Sequence, residues 1–146
     1  MSTTAEQLTA ALAECRRLID TRFPDGSARG AAAVLLEDGT ILTGTSPDFV
    51  NGATVVCHET EPYCAAFRLD RRILASVCLQ RFADGRYVVL SPCGVCRERL
   101  AGHGPDVLVA VPTAPDPSEA QWVTLRDALP HYWVAAAYPD EVPAWW

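Results

Sequence analysis

A metal-ligand pattern split between two distant stretches constrains this chain more than any other feature. Cys57-His58-Glu59 opens one apolar segment, and Ser91-Pro92-Cys93-Gly94-Val95-Cys96 opens another. Three soft thiolates hold a zinc ion and leave one tetrahedral position open, whereas a closed structural site uses four protein ligands. A carboxylate two residues beyond the first cysteine can reach what sits at the open position, which is the layout of a catalytic centre. Both halves read as helix starts, so two helix N-termini must be aimed at one cation. Cys93 and Cys96 lie one helical turn apart and point the same way. Three thiolates, Zn²⁺ and a bound hydroxide together carry two negative charges. Positive helix ends lower the thiol pKa values and offset that charge.

The rest of the chain alternates helical and extended patterns around these two stretches. Residues 3–19 read as a helix, with Thr3-x-x-Glu6 as a capping box and Leu8, Leu12, Cys15 and Leu18 at helical spacing. Pro24-Asp25-Gly26-Ser27 breaks it. Residues 31–37 and 40–45 flank Asp38-Gly39 and predict a β-hairpin. Ser46 to Gly52 is a loop. A helix is expected from Thr54 or Cys57 to Leu69, with Cys57, Cys64 and Phe67 near one face; Pro62 kinks it unless it starts late. Strands are expected at 73–79, 87–90 and 107–111, and a last one at 122–125. Pro92 opens a helix over 93–100 that Gly102-His103-Gly104-Pro105 stops. This order predicts a single domain over residues 1–146, a three-layer α/β/α arrangement with a mixed five-stranded sheet.

Composition narrows the partners. An apolar fraction of 49% and a mean hydropathy of +0.07 fit a folded globule rather than a disordered chain. A net charge of −6, with no Lys/Arg-rich stripe interleaved with aromatics, argues against a nucleic-acid partner. No apolar run approaches 18 residues and the N-terminus has no basic region before an apolar core, so neither a membrane span nor a signal peptide is expected. The six cysteines are then expected reduced, in the cytoplasm, with Cys15, Cys64 and Cys78 as packing residues and three as ligands. The aromatic tail, with Trp133, Tyr138, Trp145 and Trp146, is expected to pack on a neighbouring subunit.

Glu59 is placed to take a proton from a zinc-activated water. The hydroxide so formed attacks an electron-poor aromatic carbon bearing an amino group, and Glu59 returns protons to the ring nitrogen and the leaving ammonia. A C-x-E with a downstream P-C-x-x-C is the zinc deaminase signature, in which histidine often stands first. These motifs resemble the cytidine deaminase superfamily, most closely its small cytidine deaminase and blasticidin-S deaminase branch, over roughly residues 28 to 133. RGAAAVLLEDGTILTG resembles the family's first hairpin, VVCHE its first zinc motif and VLSPCGVCRERL its second. Leu129-Pro130 followed by Tyr132 and Trp133 resembles its C-terminal aromatic segment.

The resemblance implies Zn²⁺ held by Cys57, Cys93 and Cys96, Glu59 as proton shuttle, a small aminopyrimidine substrate and a homotetramer. It implies a backbone N–H near His58 on the pyrimidine carbonyl and the Ser91 carbonyl facing the departing amine. The family's ribose-binding Asn-x-Glu stands here as Ser46-x-Asp48, and the aromatic residue before the hairpin falls near Ser27. Three-cysteine members place an arginine where this chain has Thr60 or Val95; Arg97 or His58 is a candidate substitute. Duller readings stand beside these. Ser46 and Asp48 also suit a turn, and Trp133 suits core, interface or substrate lid. Cys64 could close a fourth zinc bond. A non-catalytic, zinc-stabilised binding protein would use the same ligands, as would a polynucleotide-editing deaminase.

Overall fold

In the computed structural model, residues 3–138 are described, and Trp145 and Trp146 lie outside them. Helix α1 (Ala5–Arg22) starts one residue later than the Thr3 pattern suggested and runs past residue 19. Its N-cap is Thr4, whose Oγ1 accepts the Gln7 N–H at 3.2 Å while Gln7 Oε1 accepts the Thr4 N–H at 3.0 Å. Thr4 and Gln7 therefore form the reciprocal capping box, in place of Thr3 and Glu6.

The hairpin expected around Asp38-Gly39 is present: β1 (Gly30–Leu36) pairs antiparallel with β2 (Ile41–Gly44). Gly39 takes φ +87° there, a left-handed conformation that a side chain would strain. Strand β3 (Ile73–Arg81) lies antiparallel to β1 along its other edge. The far side of β3 is shared. Its first half pairs parallel with β5 (Leu108–Pro112) at Ala75 and Ser76, and its second half pairs antiparallel with β4 (Tyr87–Leu90). Strand β6 (Ala120–Thr124) closes the sheet against β5. Five strands follow the order β2-β1-β3-β5-β6, and β4 joins off that path beside β3.

Helices cover both faces. Ala11, Cys15 and Ile19 of α1 pack on Ala31, Ala33, Val77 and Leu79. Val34 and Leu36, alternate residues of β1, face the other way, against Ala66 of α2 (Thr60–Arg68) and Leu100 of α3 (Gly94–Ala101). The mixed sheet between two helical layers matches the expected class. Past β6 the short helices α4 (Leu125–Ala128) and α5 (Trp133–Ala137) run on, so Leu125 opens a helix rather than ending a strand. Among the described residues no helix is long and apolar enough to cross a membrane.

Helix α2 begins at Thr60, not at Thr54 or Cys57, so Pro62 is its third residue. There its missing N–H has no intrahelical acceptor to lose, and no kink follows. The face turned to the sheet is not the one carrying Cys64. Pro62 and Ala66 are buried, whereas Cys64 is exposed and Phe67 is 81% exposed, contrary to the packing role expected of Cys64. Cys15 and Cys78 are buried as expected.

Candidate metal centre

The two halves of the motif meet at the N-termini of α2 and α3. Cys57 sits in the turn before α2, closed by the Thr60 N–H donating to the Cys57 carbonyl at 3.0 Å. Cys93 is the N-cap of α3, with extended backbone (φ −66°, ψ 167°), and Cys96 lies in the first turn. Arg97 fastens this start: its Nε donates to the Pro92 carbonyl and its Nη1 to the Ala128 carbonyl, both at 2.7 Å.

The sulfurs of Cys57, Cys93 and Cys96 lie within 4.8 Å of one another, and those of Cys57 and Cys93 are 3.4 Å apart. Tetrahedral zinc with Zn–S bonds of about 2.3 Å needs sulfurs about 3.8 Å apart, so small side-chain rotations suffice and the donor set fits zinc. Among the described residues neither His58 nor Cys64 joins the cluster. Cys96 is buried, Cys57 half-buried and Cys93 exposed, so the triad opens toward solvent beside Cys93.

The thiols are unequal. Burial, then the nearby Glu59 charge and the other two sulfurs, push Cys96 far up. Burial and the contact with Cys93 raise Cys57. At Cys93 burial acts upward as well, but the N–H groups of Cys96 and Val95 and the neighbouring thiols outweigh it and hold the thiol below its ordinary value. Three adjacent thiols cannot all ionise beside a carboxylate unless a cation joins them, so a metal bound here would displace protons.

Glu59 is 8% exposed and occupies the N-cap position of α2 without capping it, so its carboxylate is not spent on its own helix. It lines a small cavity with Val34, Tyr63, Ser76, Cys96, Arg99 and Leu100. Arg99, one turn beyond Cys96 on α3, donates from Nη1 to Thr60 Oγ1 at 2.9 Å and so joins the two site helices. With Arg97 committed to backbone carbonyls, the guanidinium on this cavity is that of Arg99. Its three-residue spacing from Cys96 was the available signal.

His58 is engaged away from the thiol cluster. Its Nδ1 accepts the Ser46 N–H at 3.0 Å, so the neutral ring carries its proton on Nε2; burial holds its pKa below the ordinary histidine value. The ring lies over Gly30, where an added Cβ would sit 2.4 Å from His58 Nε2 and 2.8 Å from Gln80 Oε1. Gly30 pairs with Gln80 in the sheet and cannot retreat. Gly30→Ala should therefore destabilise the fold by about 1–3 kcal/mol and displace the His58 ring. Urea unfolding would measure the first effect and the imidazole NMR resonances the second.

The remaining expected substrate residues are spread around this centre. Ser46 is tied to His58 by its backbone, and Asp48 forms a two-pronged ion pair with Arg29. Ser91 is exposed in the loop before Cys93. Trp133 is 57% exposed on α5, its ring 6.4 Å from that of Tyr132 and 5.8 Å from that of Tyr138. The Tyr132 hydroxyl donates to Glu98 Oε1 at 2.8 Å, which lays this segment against α3. A roomier concavity of about 530 Å³ lies at the C-terminal ends of α2 and α3, between Phe67, Arg72 and His103, and holds none of the thiols.

No protein-family model matches the chain. Cytidine deaminases of two Mycobacterium tuberculosis strains, CDC 1551 and H37Rv, are 36% identical to it over 86 residues, or 58% of this chain. The match spans 62% of the length of those curated relatives. Among solved structures, the cytidine deaminase from Bacillus anthracis superposes with a TM-score of 0.82 at 34% identity, covering 90% of this chain and 93% of that one. The cytidine deaminase from Mycobacterium tuberculosis gives 0.63 at 27% identity, covering 85% and 94%.

Proposed function

The chain belongs to the cytidine deaminase superfamily, and from that premise we propose that it is a zinc-dependent hydrolytic deaminase of a cytosine-type ring. Its substrate is a base, a nucleoside or a nucleoside antibiotic such as blasticidin S, whose amino group is exchanged for a carbonyl with release of ammonia. One observation carries this reading: a buried carboxylate, uncommitted to capping, lines the same cavity as one of three clustered thiols.

Cys57, Cys93 and Cys96 would hold the zinc, which would supply Lewis acidity to activate the attacking water. The Glu59 carboxylate takes one proton from the attacking water and gives it to the ring nitrogen. It then carries the second to the departing amino group as the C–N bond breaks. One carboxylate serves as base and then acid because its burial keeps bulk water from competing for the proton. A backbone N–H near His58 holds the ring carbonyl and the Ser91 carbonyl faces the amine. Ser46, Asp48 and Trp133 border the substrate.

A homotetramer is supported by exposed apolar side chains, among them Val50, Phe67, Val95 and Trp133. Six free cysteines suit a reducing cytoplasm, and the net charge of −6 speaks against a polynucleotide substrate.

The test is a panel of cytosine, cytidine, deoxycytidine, blasticidin S and N4-substituted cytosines, followed by absorbance and ammonia release. Turnover of at least one member is expected. Zinc-loaded protein that turns over none would leave a non-catalytic zinc-stabilised binding protein.

A further inference from the structure

Two of the three clustered thiols are placed to react with each other. The sulfurs of Cys57 and Cys93 are in van der Waals contact at 3.4 Å. A disulfide needs about 2.05 Å and two sulfurs on one zinc need about 3.8 Å, so the pair lies between two alternative outcomes. Closing by about 1.4 Å makes the first, and opening by about 0.4 Å makes the second.

The backbone brings the two residues together and leaves their side chains to turn. Cys57 lies in the turn before α2 that the Thr60 N–H closes, and Cys93 is the N-cap of α3 without a capping bond from its own side chain. Arg99 Nη1 donates to Thr60 Oγ1 at 2.9 Å and keeps one helix start beside the other. Access is unequal. Cys93 is exposed, Cys57 half-buried and Cys96 1% exposed. A Cβ added at Gly94 would meet no atom within 4 Å, and Val95 is 54% exposed, so the approach to Cys93 is open. A small oxidant therefore meets Cys93 first, with Cys57 in contact with it and Cys96 shielded.

We propose that Cys57 and Cys93 form a modification site: in the metal-free chain a hydroperoxide joins them in a disulfide, and the joined pair excludes zinc. The Cys93 sulfur attacks a peroxide oxygen, the O–O bond breaks, and Cys93 becomes a sulfenic acid as one water leaves. The Cys57 sulfur then attacks the Cys93 sulfur. The S–S bond forms, the S–O bond breaks, and the Cys57 proton departs with the hydroxyl as a second water. Two electrons pass from the two sulfurs to the peroxide. Only Cys96 of the ligand set is then left as a thiol, and one thiolate does not hold a zinc ion. A disulfide at an exposed position is open to a thiol reductant, which restores both ligands. Bound zinc engages the same two sulfurs, so loading and oxidation exclude each other. Neither step involves a substrate.

The experiment exposes metal-free Cys64→Ala protein, which lacks the outward thiol of α2, to dilute hydrogen peroxide beside the same protein loaded with zinc. Thiol titration and peptide mass mapping follow the linkage, and zinc uptake is measured on the products. The metal-free protein should lose two thiols, and the linked peptides should carry Cys57 and Cys93. Zinc uptake should then fall about tenfold or more and return with dithiothreitol. The zinc-loaded protein should oxidise at least about tenfold more slowly. Zinc-loaded protein given peroxide together with excess chelator starts out folded and should reach the same linkage. A linkage through Cys96, a metal-free protein that keeps its thiols, zinc uptake unchanged by oxidation, or equal rates with and without zinc overturns the inference.

Discussion

Glu59→Gln is expected to lower kcat for ammonia release by about 10³-fold or more while zinc content stays at the wild-type level. A positioned proton-transfer group contributes typically about 10²–10⁴-fold, and in the proposed mechanism one group serves both transfers, so its loss falls at the upper end of that range. The substitution keeps size and shape in a site that is 8% exposed, and it removes no helix cap, because the Glu59 side chain makes none. Folding should therefore survive. Removing the carboxylate also takes away one of the charges that push the Cys96 thiol up, so the ligand set should bind metal at least as well. Ammonia release and metal analysis on the same preparation check both halves. Activity within tenfold of wild type would show that the proton travels by another group.

Cys96→Ser should abolish stoichiometric zinc binding and the activity with it. Cys96 is the buried member of the triad, so a hydroxyl there replaces a thiolate at the position least able to recruit solvent as a substitute ligand. Metal binding stabilises the folded chain by mass action, about 4 kcal/mol when free metal stands a thousandfold above Kd. For a domain of 146 residues that corresponds to roughly 10 °C in Tm, lost in Cys96→Ser and in chelator-treated wild type alike. Cys64→Ala is the matched control. Cys64 is exposed on α2 and outside the sulfur cluster, so zinc content should not change. Loss of metal from Cys64→Ala would mean a closed, four-sulfur site and no room for water.

Particular residues show where reading the chain was enough and where it was not. Asp38-Gly39 between two apolar runs names its own hairpin, because the three-residue turn between Leu36 and Thr40 needs at its last position the left-handed backbone that Gly39 adopts. Pro92 and the C-x-x-C after it name a helix start with both sulfurs on one side. The start of α2 was ambiguous for a local reason: Pro62 suits the first turn of a late helix and the kink of an early one equally. Cys64 and Phe67 share one side of α2 while Pro62 and Ala66 share the other, and only packing on the sheet decides that the second side is the buried one. Thr3 and Thr4 each have a capping partner three residues on, Glu6 or Gln7. Only the registry of α1 on the sheet chooses between them.

What the chain's order of residues determined was the set of parts: a mixed α/β domain, a β-hairpin, three cysteines in a metal-ligand pattern and a carboxylate at C-x-E spacing. Each is a matter of backbone preference or of residue type within a few positions. What tertiary structure alone decided was company. It put β4 and β5 on one edge of β3, Arg99 rather than Arg97 on the Glu59 cavity, and Arg29 on Asp48 across 19 residues of chain. Such pairings depend on which faces the sheet and helices turn toward one another, and a side chain's partner across the fold leaves no mark in its immediate sequence neighbours.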